Sequence, residues 1–214
     1  ALVWGNLPGI FGHFTAVRLH EAGFSSILHY YGRGEGLEGE GRLPEAIARD
    51  DFHAVPYVTR ISWDKGRLGA IEQDEKARQD LVDRATASKP YAPLVYSLGD
   101  ENFIPPEGGF DDNERPRFTA FLKERYGGDL QALNAAWGTH FTDFAQAAPM
   151  KAGEAARQAN WVPFHDTECF REFLYANWHH WARGVIRQVD PQGAVGAEGS
   201  VPGDMELSIQ GLEF

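Results

Sequence analysis

The chain switches hydrophobic period repeatedly, and that alternation restricts its fold more than any other feature. The runs ALVW, SSILHYY, HAVPYVTRI, APLVYSLG and AVGAEGS are short and apolar, as strands are. Between them lie stretches whose apolar residues return at helical spacing. Phe14, Val17, Leu19 and Ala22 set such a register ahead of Gly23, a suitable helix stop. LPEAIARDDF reads as another helix. DEKARQDLVDRATAS reads as a largely solvated one, and the charge run EQDEKARQD spaces Glu72–Lys76 and Asp74–Arg78 for i,i+4 pairing. Strands alternating with helices predict βαβ units on a parallel sheet, either open and doubly wound or closed as a barrel. No Gly-x-Gly-x-x-Gly follows the first strand, which weighs against a dinucleotide fold.

A helical insertion at about 103–165 follows the fourth strand. It holds two helices, NERPRFTAFLKERYG and DLQALNAAWG. The second starts on Asp129 as N-cap, stops at Gly138, and places Leu130, Leu133 and Trp137 on one face. The longest helix runs from about Asp166, a residue able to cap it, to Val189, where DPQG ends it. Phe170, Phe173, Leu174, Trp178, Trp181, Val185 and Val189 form its apolar face. A final LEF reads as the start of another strand.

Composition narrows the function classes. The chain has 214 residues, 43% hydrophobic and 24% charged, so a sizeable core is available. A net charge of −11 argues against a nucleic-acid partner, whose phosphates demand a basic stripe. No apolar run is long enough to span a membrane. Cys169 is the single cysteine, so neither an internal disulfide nor a CxxC pair exists. No signal peptide is visible. Because the chain begins on strand without Met, the N-terminus is expected elsewhere. Localisation is not legible, and a homo-oligomer is neither required nor opposed by the sequence.

In parallel α/β folds ligands bind where strands end. Trp4 and Asn6 follow the first strand, Tyr31 and Arg33 the second, Arg60, Trp63 and Asp64 the third. The fourth ends on Asp100-Glu101-Asn102 and the fifth on Glu198. Aromatic rings that stack on a sugar's C–H face, beside groups that bind hydroxyls, suit a carbohydrate. The plain alternative for Asp100–Asn102 is a turn or helix cap. Yet adjacent, poorly solvated carboxylates raise each other's pKa, and a glutamic acid kept protonated is what cleavage of a glycosidic bond requires.

Metal readings are weaker. His179 and His180 are adjacent, so on a helix they point about 100° apart. His165, Asp166, Glu168 and Cys169 lack a second cluster, and capping and packing account for them. Cys169 as a nucleophile needs a base beside it.

YSLGDEN, with FTAFLKERYGGDLQALNAAWGTHFTDF after it, resembles the barrel domain of glycoside hydrolase family 42, the β-galactosidase-type enzymes. FREFLYANWHHWARGVIRQVDPQGAVGAEGS is similar to that family's next helix and fifth strand, and the whole resembles a divergent bacterial branch. The resemblance implies a (β/α)₈ TIM barrel, incomplete here, of which residues 1–214 are about the first five units. It implies a retaining, exo-acting β-glycosidase with no cofactor. Glu101 takes the acid/base position and Asp100 stands where the family has an asparagine. Asp100, Asn102, Trp4, Tyr31, Arg60, Trp63 and Glu198 are expected to bind substrate. The family's nucleophile lies on a later strand than Glu198, so this piece alone is expected to be inactive. A non-catalytic carbohydrate-binding barrel is the alternative.

Overall fold

A computed structural model describes residues 2–4, 12–30, 52–58, 74–99 and 114–197. Among the described residues five strands form one sheet: β1 (Leu2–Trp4), β2 (Ser26–Tyr30), β3 (His53–Tyr57), β4 (Tyr96–Ser97) and β5 (Val195–Gly196). All four pairings are parallel, and the order β1-β2-β3-β4-β5 follows the chain. Doubly wound sheets turn back at a switch point; this one advances without reversal, as a barrel does. The expected helix over LPEAIARDDF and the final LEF strand lie outside the described residues.

The helices are α1 (Gly12–Glu21), α2 (Glu75–Ser88), α3 (Arg115–Arg125), α4 (Leu130–Trp137), α5 (Ala152–Gln158) and α6 (Val162–Val189). Gly23, at φ 85°, ends α1 as the sequence predicts. The Asp74 side chain accepts from Ala77 N and caps α2 rather than pairing with Arg78, whose guanidinium donates to Gln188. The helix is also less solvated than its charge suggests, because Leu81, Ala85 and Ser88 are buried.

α6 is the spine of the helical layer and contacts α2, α3, α4 and α5. Phe170, Leu174, Trp178 and Val185 are buried on it, with Phe173, Trp181 and Val189 packed around them. Each fully buried large side chain contributes about 1.5–3 kcal/mol. Its start departs from expectation. The helix begins at Val162, with Pro163 in the first turn where its missing N–H costs nothing. Asp166 therefore lies inside the helix, 1% exposed, and is not its cap. Its carboxylate accepts from Arg125 Nε at 2.7 Å, Tyr126 Oη at 2.6 Å and Trp137 Nε1 at 2.7 Å, joining α3 and α4 to α6. Burial, then the bond to Asp166, pushes the Tyr126 phenol up to about 12.

The insertion holds a third helix, α5, which the sequence reading missed. It is short and contains Gly153, but Glu154 reaches back to accept from Lys151 N and Ala155 is fully buried. The LNAAWGT stretch is explained by local architecture. Asn134 Oδ1 accepts from Thr139 Oγ1 and Phe141 N, while Nδ2 donates to Phe141 O, so one amide closes the loop after α4. Gly138, at φ 67°, supplies the left-handed stop.

Candidate functional site

The strand ends share one edge, because every pairing is parallel. The sheet has two covered faces. Val58, Tyr96, Leu98 and Val195 join the helical core, and Tyr96 Oη donates to Asp190 at the end of α6. Val55 and Tyr57 form a separate cluster with Val95 on the opposite face. Side chains alternate along a strand, and Ser97 pairs with Tyr57 on one side and Gly196 on the other. Ser97 therefore shares the face away from the helices. In a closed barrel that is the interior.

β4 is held from both sides up to its last residue. Val58 N donates to Ser97 O at 3.0 Å, and Leu98 N donates to Gly196 O at 2.7 Å. Gly99 then leaves the ladder at φ 118°, its N–H donating to Ser97 Oγ at 3.1 Å. Ser97 and Leu98 are fully buried. Sequence reading overlooked Ser97 and Gly99; the signal was a small hydroxyl residue and a glycine closing an otherwise apolar run.

Of the residues assigned from sequence, Trp4 is the last residue of β1, its backbone paired with Leu28; its side chain lies outside the described residues. Tyr31, Arg60, Trp63, Asp100, Glu101, Asn102 and Glu198 all lie outside them too. The described chain reaches Tyr30, Gly99 and Ala197, each one residue short of Tyr31, Asp100 and Glu198.

The residues of the weaker constellations lie within the helical layer. His179 is 1% exposed; its Nδ1 faces Tyr175 O at 2.8 Å, which fixes that nitrogen as the donor of the neutral ring. Its Nε2 is buried without a hydrogen-bond partner among the described residues. Burial lowers its pKa to about 4, and burial likewise raises the Tyr175 phenol. Cys169 does have an imidazole beside it, with Sγ 3.8 Å from Nδ1 and 3.9 Å from Nε2 of His165. Among the described residues no group of three His, Cys, Asp or Glu side chains could hold a metal ion. None of their helices is long and apolar enough to cross a membrane.

No protein-family model matches the chain, and no curated protein matches it. Solved structures do. The β-galactosidase of the haloarchaeon Halorubrum lacusprofundi superposes with a TM-score of 0.68 at 16% identity, over 92% of this chain and 35% of that one. The β-galactosidase of Bacillus circulans sp. alkalophilus gives 0.66 at 16% identity, over 92% and 36%. A GH42 β-galactosidase from G. stearothermophilus gives 0.62 at 15% identity, over 85% and 32%. The chain thus spans about a third of the length of these β-galactosidases. At identities this low the likeness shows the fold alone: the chain shares the parallel α/β architecture of part of those enzymes.

Proposed function

We propose that this chain is the first part of a (β/α)₈ barrel in a retaining, exo-acting β-glycosidase of β-galactosidase type. The observation that carries the reading is the adjacency of β4 and β5. Ser97 pairs with Gly196, and the sequence continues from those strand ends into Asp100-Glu101-Asn102 and Glu198. In this reading Glu101 protonates the glycosidic oxygen. A second carboxylate about 5–5.5 Å away, on a later strand, attacks the anomeric carbon, and Glu101 then takes a proton from the water that releases the sugar. Asp100 accepts a hydrogen bond from the sugar, and its charge beside Glu101 favours the protonated acid. Trp4, Tyr31 and Trp63 stack on the ring, while Arg60, Asn102 and Glu198 bind hydroxyls.

Asp100 also favours a second reading. An ionised aspartate accepts hydrogen bonds but cannot donate one, unlike the asparagine of the resembled family, so a carbohydrate-binding barrel without turnover is the alternative. Glu101→Gln in the full-length protein separates the two. An enzyme loses about 10²–10⁴-fold in kcat on an unactivated β-galactoside and keeps sugar affinity. Wild-type protein that binds sugar without turning it over establishes the binding barrel instead.

A further inference from the structure

We infer that Ser97 and Gly99 are positioning residues that aim the Asp100–Glu101 pair; this rests on the reading of Glu101 as acid/base. The ladder fixes β4 on both sides through Leu98, by Val58 N to Ser97 O and Leu98 N to Gly196 O. The next donor, Gly99 N–H, has left the sheet and is caught by Ser97 Oγ at 3.1 Å. At that residue φ is 118°, a backbone region that glycine enters freely and other L-residues do not. Ser97 and Leu98 are 0% exposed, so the exit from β4 starts inside the packed interior. The direction in which the chain leaves β4 is therefore set, immediately before Asp100, by one hydroxyl and one glycine torsion. As positioning residues, both act through the backbone. General-acid catalysis needs the carboxyl within hydrogen-bond reach of the departing oxygen. A misplacement of about 1 Å costs on the order of 10²-fold.

The test exploits the leaving group. A methyl β-galactoside needs proton donation to depart, whereas a dinitrophenyl β-galactoside departs without it. In the full-length protein, Ser97→Ala and Gly99→Ala should lower kcat/KM for the methyl substrate by roughly 10–100-fold and for the dinitrophenyl substrate by less than about threefold. Ser97→Thr keeps the hydroxyl and should restore the methyl rate. Thermal unfolding of each variant checks folding; if Gly99→Ala does not fold, the Ser97→Ala and Ser97→Thr pair decides. Glu101→Gln is run beside them. If it lacks the leaving-group-dependent loss, the acid/base reading falls and this inference with it. If it shows that loss while the Ser97 and Gly99 variants lose both substrates equally, or lose nothing, the positioning role alone is overturned.

Discussion

The helical layer and the carboxyl edge of the sheet make opposite use of their residues. In the layer, polar side chains are spent on holding helices together: Asp166 gathers Arg125, Tyr126 and Trp137, and Asn134 closes the turn after α4. In the sequence that follows the fourth strand, acidic residues accumulate instead. Segment 100–113 contains Asp100, Glu101, Glu107, Asp111 and Asp112 and no Lys or Arg. The difference teaches which residues a resemblance reports on. The most specific motif behind the resemblance, Leu-Asn-Ala-Ala-Trp-Gly-Thr, belongs to the scaffold, and its hydrogen bonds lie within the layer. It argues for architecture. The case for chemistry has to come from the edge.

The strongest way to test that division is Asp166→Ala. The substitution strips the acceptor from an indole N–H, a phenol and a guanidinium. Trp137 is buried, while about a third of the Arg125 side chain faces water, which softens its share. Orphaned donors of this kind destabilise by about 3 kcal/mol in sum, read as a lowered urea midpoint. Asp166→Asn, which keeps shape and one acceptor, should lose less. An unchanged midpoint in the alanine variant would show that the hub does not hold the layer together.

His179 sharpens the comparison by pH. Its folded pKa of about 4 lies below the ordinary 6.5, so between those values the unfolded chain binds a proton that the folded one does not. Stability from this group is fully present above pH 6.5, falls as pH drops toward 4, and is flat below. Between pH 7 and 5 the loss is about 2 kcal/mol at 1.36 kcal/mol per unit. His179→Leu should remove that slope. If wild type and variant track each other in unfolding free energy across the window, the buried neutral imidazole is wrong.

These contrasts also show what was legible in the sequence. The parallel sheet could be read because apolar runs and helical faces alternate without ambiguity, and the α4 boundaries because Asp129 and Gly138 are strong end signals. The start of α6 was misread because Asp166 looks like a cap, while the true first turn relies on Pro163 after the exposed Trp161. α5 was missed because seven residues carry too little periodicity. Ser97 was overlooked for another reason: the small hydroxyl before Gly99 is visible in the sequence, but the strands that flank it, β3 and β5, are not. The site assignments at the strand ends came from topology plus residue type, and Glu101 stands on those together with the resemblance.

The smallest effect is the most discriminating, because it applies one substitution to both regions. Gly138 and Gly99 both hold positive φ, at 67° and 118°. A Cβ at Gly138 meets nothing within 4 Å, so Gly138→Ala costs only left-handed backbone strain, about 1 kcal/mol. Gly99→Ala carries at least a comparable strain. If the layer is scaffold and the edge is chemistry, the two variants differ in one respect. Gly138→Ala should lower kcat/KM for methyl and dinitrophenyl galactosides by the same small factor, whereas Gly99→Ala should open a gap between them. A gap at Gly138 as well would mean that strain in the helical layer reaches the acid, and that scaffold and site cannot be told apart by position in this fold.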